Sequence, residues 1–422
     1  MSSGSEQNLD DHALRTRVLF LLLFAYVFNF IDRNIAGVLA VPIREEFNLS
    51  DTALSQLGVA FGIFYAVIAI PIAWAADRKS RVNIISAAVA LWSLFTAACG
   101  MAQSYTQLVV ARMGVAVGEA GGIAPSYSLI SDYFPREKRS RALAFFSLGI
   151  PIGSALGVFF GSWLASHLSW RSAFLIVGLA GLPAALLIRL LVPEPERGRF
   201  DVPQRQLSER TEGVARALLG NPSFWLLSFG AASGSILGYG LIFWLPSFFN
   251  RSFGLAIEDV GWFYGSIVLV GGTLGTWLGG WLGDRLGPSR PGGYALIPAV
   301  CFVITAPTFA AGLFAPNLWA AWLLFTIGQM LALAWLGPVI TAVQHIVVPS
   351  MRATASASFL FINNLIGIAF GIYFLGWLSD AMKAAHGADS LRFSILYGLA
   401  FYLLAALFYL LAAMRLRQDL KS

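Results

Sequence analysis

Charge is scarce in this chain. Asp, Glu, Lys and Arg together make up 12% of it, about half the roughly 25% of a soluble globular domain. Hydrophobic residues reach 57% and the mean hydropathy is +0.71. A chain of 422 residues cannot cover itself with water on that composition, so a soluble protein is excluded. Cysteine is nearly absent too. Cys99 and Cys301 each stand alone in an apolar stretch, which excludes a disulfide framework and a thiolate metal site. The four histidines, His12, His167, His345 and His386, are scattered; none lies near mid-membrane, as a membrane hydrolase or acyltransferase would require. His345, near the end of an apolar run, reads as an interfacial residue rather than a titrating switch. No Gly-x-x-x-x-Gly-Lys-Ser/Thr loop occurs, nor a polar domain to hold a nucleotide, which excludes an ATP-driven pump. No cofactor or metal is expected, and no basic stripe with stacking aromatics points to nucleic acid.

What remains is a series of apolar runs, each near the 20 or so residues a helix needs to cross hydrocarbon. We place crossings near 18–40, 53–75, 83–103, 107–131, 141–165, 172–192, 223–248, 260–283, 294–314, 318–345, 353–379 and 392–414. The fold class is therefore an all-α polytopic membrane protein of twelve transmembrane helices. Its parts are an N-terminal tail (1–17), a six-helix bundle (18–192), a linker (193–222), a second six-helix bundle (223–414) and a C-terminal tail (415–422). Met1 to Thr16 is polar and no small-residue cleavage site flanks the first apolar run, so that run stays as the first helix. Of the 28 cations, Arg44, Arg171, Arg251, Lys383 and Arg392 fall opposite the N-terminus and Arg33, Arg112 and Arg189 inside spans. The rest lie on the N-terminal side, which makes both termini cytoplasmic. The net charge of +6 then reflects topology and contact with anionic membrane lipids. The linker mixes both signs; Leu207 to Leu219 fits an amphipathic surface helix or a solvated tether equally well.

The chain is built twice. Ala73-Trp74-Ala75-Ala76-Asp77-Arg78-Lys79-Ser80-Arg81 and Gly280-Trp281-Leu282-Gly283-Asp284-Arg285 each close an apolar run, half a chain length apart. Recurrence of such a loop marks two pseudo-symmetric halves. We expect Asp77, Arg78, Arg81, Asp284 and Arg285 to form a conformational latch, with a fixed helix cap as the plainer alternative. Arg139, in Phe134 to Ala142, and Arg352, in Val348 to Ala353, occupy a second pair of matching loops and join that latch. Glycines recur every four residues at Gly149, Gly153, Gly157 and Gly161, and at Gly271, Gly275, Gly279 and Gly283. Such rows suit static helix packing or a sliding face between halves. Pro151, inside the first row, marks a bend.

Four charges lie where lipid makes them costly. Asp32 and Arg33 sit in the first span, Arg112 and Glu119 in the fourth. At 1.5 Å per residue Asp32 is about 21 Å from the N-terminal edge of the membrane, and Arg112 comes out at a similar level. Asp32 and Arg112 are therefore expected partners, with Glu119 two turns along on nearly the same helix face. A carboxylate beside a guanidinium in a cavity is poised between its two protonation states and responds when the partner is displaced. Asp32 is the first candidate for proton coupling and Glu119 the second. Arg33 and Arg112 keep their protons and suit a carboxylate or phosphate. The alternative is that the four only staple two helices together, an expensive way to pack. The second half offers Tyr239, Phe243, Trp244, Gln329, Trp335, Asn363 and Asn364 as a weakly polar, aromatic lining for substrate.

Twelve spans in two halves, with Asp-Arg loops after the second and eighth, resemble the major facilitator superfamily. Ala73 and Ser80 depart from the glycines usual in the first loop. The resemblance implies two six-helix bundles, a cavity near mid-membrane and alternating access. Within it, Phe28-Asn29-Phe30-Ile31-Asp32-Arg33, Ala36-Gly37-Val38-Leu39, Val117-Gly118-Glu119-Ala120, Ile123-Ala124-Pro125, Arg139-Ser140-Arg141 and Ile150-Pro151-Ile152-Gly153-Ser154 are similar to the spinster group of lipid transporters. That likeness implies a bacterial inner-membrane protein, a monomer, moving a small anionic amphiphile of the sphingosine-1-phosphate or lysophospholipid type. Protons on Asp32 and Glu119 would supply the coupling, and Arg33 with Arg112 would meet or gate the headgroup. An organic-acid or sugar-acid symporter of the same fold is the alternative within transport; an enzyme or a channel is a more distant one.

Overall fold

The computed structural model describes residues 3–200, 218–287, 292–347 and 352–419. These form α1 (Ser3–Val38), α2 (Ala40–Phe47), α3 (Asp51–Ala76), α4 (Arg81–Gly100), α5 (Tyr105–Glu119), α6 (Ile123–Tyr133), α7 (Arg136–Ser147), α8 (Gly149–His167) and α9 (Trp170–Leu191). After the linker follow α10 (Pro222–Phe253), α11 (Ile257–Leu286), α12 (Gly293–Leu313), α13 (Leu318–Leu333), α14 (Leu336–His345), α15 (Arg352–His386), α16 (Ser390–Gly398) and α17 (Ala400–Asp419). No strand occurs among the described residues.

Among the described residues, eleven apolar helical stretches are long enough to cross a membrane. The last, Ser358–Leu416, runs 59 residues, or about 88 Å of helix, which is enough for two passes. It reverses at Gly387, whose φ of +53° belongs to the left-handed region open to glycine. The chain therefore crosses twelve times. Entry points carry side-chain caps that satisfy orphan N–H groups. Ser80 accepts from the N–H of Asn83, Ser104 from Gln107, Ser169 from Ser172, Asn221 from Phe224 and Asn317 from Ala320.

Several crossings read as continuous in sequence are broken. The fourth stops at Glu119 and resumes at Ile123; the tenth stops at Leu333 and resumes at Leu336. Pro125 and Pro338 stand at the same place in the first turn of each resumed helix, where a missing N–H costs nothing. Gly121 and Gly122 close the first break with tighter i→i−3 bonds to Gly118 and Glu119. Matching interruptions in corresponding spans are typical of binding helices in transporters. The fifth crossing breaks at Leu148, three residues before Pro151 in the first turn of α8.

Two compact units partition the chain. The first comprises 1–39 with 63–204, the second 40–62 with 205–422. In the first unit the glycine row of α8 meets the backbone of α1. A Cβ at Gly153 would lie 2.5 Å from Val27 O, and one at Gly157 2.7 Å from Ile31 O. In the second unit Gly271 stands 2.9 Å, by the same measure, from Thr326 O of α13, and Gly275 and Gly279 meet Met330 and Ala334 carbonyls. Both rows are thus packing faces inside one unit, which selects the static alternative for them. The helix considered over Leu207 to Leu219 lies outside the described residues apart from its last two positions.

Candidate functional site

In the first unit α1 and α5 bring the four membrane charges together as two crossed pairs. Arg112 Nη1 donates to Asp32 Oδ1 at 3.2 Å, and Arg33 Nε donates to Glu119 Oε2 at 2.5 Å. Asp32, Arg112 and Glu119 are 2%, 3% and 0% exposed; Arg33 alone keeps an accessible part, 13% of its side chain. Close approach of α8 fixes the height of α1, and Asn34 ties the two together by donating to Ser154 Oγ at 3.0 Å. On α5 the same role falls to Gly118, where a Cβ would stand 2.5 Å from Trp92 N of α4.

Two neighbours complete the site. Thr96 of α4 donates its hydroxyl to Asp32 Oδ2, so Asp32 has one charged and one neutral donor. The Arg33 guanidinium lies 4.6 Å from the Tyr65 ring and 5.3 Å from the Phe30 ring, within reach of a cation–π attraction. Neither Thr96 nor Tyr65 carried a signal in sequence, being uncharged residues in apolar runs. Glu119 Oε1 is buried with no hydrogen-bond partner among the described residues. Chemically, the cluster holds two acids in low dielectric, each matched to a cation that a ligand anion could claim.

The second-unit residues divide. Tyr239 donates to Asn364 Oδ1 at 3.2 Å, and Ser235 to Asn363 Oδ1 at 2.7 Å, so α10 and α15 carry a linked polar row. Trp244 is fully buried and donates to Ile372 O at 2.9 Å; Phe243 is buried beside it. Those two rings pack α10 against its neighbours. Gln329 is half-buried where α13 meets Gly271 of α11, and Trp335 packs near Phe359 at the tenth-span break.

The proposed latch residues also have definite places. Arg81 is 1% exposed and binds Asp132 and Glu194 of its own unit, the latter at 2.8 Å. Glu194 further accepts from the Val82 N–H at 2.9 Å and from Ser80 at 2.8 Å. Burial alone would push the Glu194 carboxyl up, but the Val82 N–H, Arg81 and Ser80 together hold it below its ordinary value. Arg78 lies 3.9 Å from the Trp74 ring and Arg285 5.2 Å from Trp281, with Asp77 and Asp284 exposed. Arg139 donates to Ser131 O at 2.8 Å. The Arg352 side chain and Val348 to Met351 lie outside the described residues.

A second ionic cluster had no counterpart in the sequence reading. Within the second unit Arg251 grips Asp51 with two bonds of 2.7 Å, Ser379 donates to Asp51 at 2.7 Å, and Arg44 stands 3.4 Å away. Asp380 caps α3, accepting from the N–H groups of Asp51 at 3.1 Å and Thr52 at 2.7 Å and from the Thr52 hydroxyl at 2.6 Å. Asp51 directly after Ser50 was the available hint of a helix start.

Residues 22–372 match the model of the Major Facilitator Superfamily. An MFS-type efflux pump of Mycolicibacterium smegmatis is 34% identical over 93% of this chain and 91% of its own. The sphingosine-1-phosphate transporter SPNS2 of Danio rerio is 30% identical over 92% and 84%. The crystal structure of a bacterial homologue of the human lysosomal transporter spinster, inward-facing and unoccupied, superposes with a TM-score of 0.87 at 32% identity, covering 96% of this chain and 98% of that one. The chain belongs to the major facilitator superfamily and is a multi-pass membrane transporter of the spinster type, not an enzyme.

Proposed function

We propose that this transporter is driven by protons and moves a small anionic amphiphile, of the sphingosine-1-phosphate or lysophospholipid type, by alternating access. The observation that carries the reading is the crossed pairing of Asp32 with Arg112 and Arg33 with Glu119. A phosphate or carboxylate that takes Arg33 from Glu119 leaves that acid buried without its cation, which favours uptake of a proton. Binding and protonation are then linked. Asp32 and Glu119 carry the protons; Arg33, Arg112, Tyr239, Gln329, Asn363 and Asn364 meet the substrate or gate it. The name of the SPNS2 relative supports a phosphorylated lipid; that of the mycobacterial relative, an efflux pump, favours export as the direction of transport. The remaining elements of the account are a bacterial inner-membrane location with both termini cytoplasmic, bundles over 18–192 and 223–414, a monomer, and a latch formed by the two Asp-Arg loops.

The test is uptake into proteoliposomes under an imposed pH gradient, with sphingosine-1-phosphate, a lysophospholipid and an organic acid offered in parallel. The account expects gradient-dependent accumulation of a lipid phosphate and roughly tenfold weaker binding in Arg33→Ala, the loss of a charge-assisted contact. Accumulation of the organic acid alone overturns the lipid assignment.

A further inference from the structure

Beside Asp32, on α4, lies a buried polar atom that the pairing of the four charges leaves unexplained. Ser93 Oγ is 1% exposed and has no hydrogen-bond partner among the described residues. Ser93 lies on α4 three residues before Thr96, a spacing that places both on one helix face. Asp32, Ser93 and Thr96 line one narrow cleft, closed by Gly178 and Gly181 of α9. Gly181 keeps the serine hydroxyl free: a Cβ there would collide with Ser93 Oγ. Native proteins seldom leave such a group without a role.

The two partners of Asp32 differ in what they can do. A guanidinium only donates, so Arg112 can serve the Asp32 oxygen that still accepts but cannot take the hydrogen of the acid. The Thr96 hydroxyl donates or accepts, but when it accepts from an acid its own hydrogen needs a new acceptor. We propose that Ser93 Oγ is that acceptor, making Ser93 and Thr96 a two-hydroxyl relay that positions Asp32 in both of its protonation states. In the ionised state Thr96 donates to Asp32 Oδ2, as observed. A proton arriving from the aqueous side bonds to Oδ2; the new O–H donates to Thr96 Oγ1, and the Ser93 side chain, unbonded in this structure, turns so that its Oγ accepts the Thr96 hydrogen. Departure of the proton reverses the rotations, and no bond within threonine or serine breaks. The inference rests on the reading of Asp32 as a coupling acid. The other titratable or charged groups near Asp32 are Arg33 on its own helix, Arg112 and Glu119 on α5, and the Cys99 thiol on α4. The α9 residues lining the cleft, Val177, Gly178 and Gly181, contribute none.

The relay predicts opposite signs for its two members. Thr96→Val removes a charge-assisted bond to the carboxylate, about twice as strong as the neutral bond lost from the acid, so Asp32 takes up its proton at higher pH. Ser93→Ala removes an acceptor used only in the acid form, so uptake moves to lower pH. Shifts of about one pH unit are expected. The experiment is a pH titration of the buried carboxylic-acid carbonyl stretch by infrared difference spectroscopy on the reconstituted full-length protein, without substrate. Asp32→Asn identifies the band, and the titration is repeated in Glu119→Gln to remove the second acid. Thr96→Ser should restore the parental midpoint, and Ser93→Ala should add nothing in a Thr96→Val background. A band that titrates but ignores Ser93→Ala, or moves the same way in both variants, overturns the relay and leaves the coupling reading standing. If no band is lost in Asp32→Asn, the coupling reading itself fails, and the relay with it.

Discussion

Replacing Asp51 with Asn should be among the most damaging single changes in the second unit. The carboxylate is 4% exposed, takes two Arg251 bonds of 2.7 Å and lies in the first turn of α3. Removing one partner of a buried pair typically costs about 3–5 kcal/mol, because the other charge stays behind. Arg251 keeps 15% of its side chain accessible, which lets water recover part of the loss; the α3 dipole adds about 0.3–1 kcal/mol to it. We expect a destabilisation of about 2–4 kcal/mol. Asp380→Ala removes a helix cap and should cost about 0.5–2 kcal/mol. Arg251→Gln should resemble Asp51→Asn, but the double variant Asp51→Asn/Arg251→Gln should be at least about 1.5 kcal/mol more stable than the two single losses summed, since no orphan charge remains. Denaturant unfolding in detergent, followed by tryptophan fluorescence, reads this directly; buried Trp244 lies 6.0 Å from the Arg251 guanidinium. A cost below about 0.5 kcal/mol for Asp51→Asn, or additive losses in the double variant, would refute the reasoning.

Other outcomes follow from the first unit. Glu194 has its carboxyl held low in the folded chain. The stability it contributes is therefore fully present above its unfolded value and is lost as pH falls below about 4.3, through the folded value. Glu194→Gln should flatten that acid limb of the unfolding curve, and an unchanged limb would exclude the contact with Arg81, Ser80 and Val82 as its source. Gly157→Val places a branched side chain against Ile31 O, which a bare Cβ already approaches to 2.7 Å. It should cost about 1–3 kcal/mol and lower transport by displacing α1, whereas the same change at Gly280, where a Cβ meets nothing within 4 Å, should be nearly neutral. Transport and melting measured on both variants check the contrast.

Much of this fold could be read from composition because lipid punishes exceptions. Charge is so costly in a span that Asp32, Arg33, Arg112 and Glu119 stood out unaided, and helical rise alone brought Asp32 level with Arg112. The second pairing, Arg33 with Glu119, was not foreseen: equal depth was the only criterion, and it ignores the length and reach of an arginine. Thr96, Ser93 and Tyr65 escaped because a hydroxyl in an apolar run costs too little to be conspicuous. The breaks after Glu119 and Leu333 escaped for a different reason. Apolar windows average over the few residues at which a helix stops and restarts, so proline and glycine there read as tolerated interruptions. Asp51, Arg251 and Asp380 lie far apart in the chain, and only folding shows that they meet. The glycine rows were correctly read as faces of close approach; which helix approaches, α1 for one and α13 for the other, required the structure.

The central claim is that Asp32 exchanges the proton that drives transport, and the most direct measurement compares two modes of one variant. Asp32→Asn, reconstituted beside the parent, is assayed for sphingosine-1-phosphate accumulation under a pH gradient and for counterflow exchange without one. The account predicts that accumulation is lost while exchange survives, because the asparagine carbonyl still accepts from Arg112 and its NH2 donates to Thr96 in the reverse sense, but the side chain carries no exchangeable acid proton. Gradient-driven accumulation equal to that of the parent would contradict it.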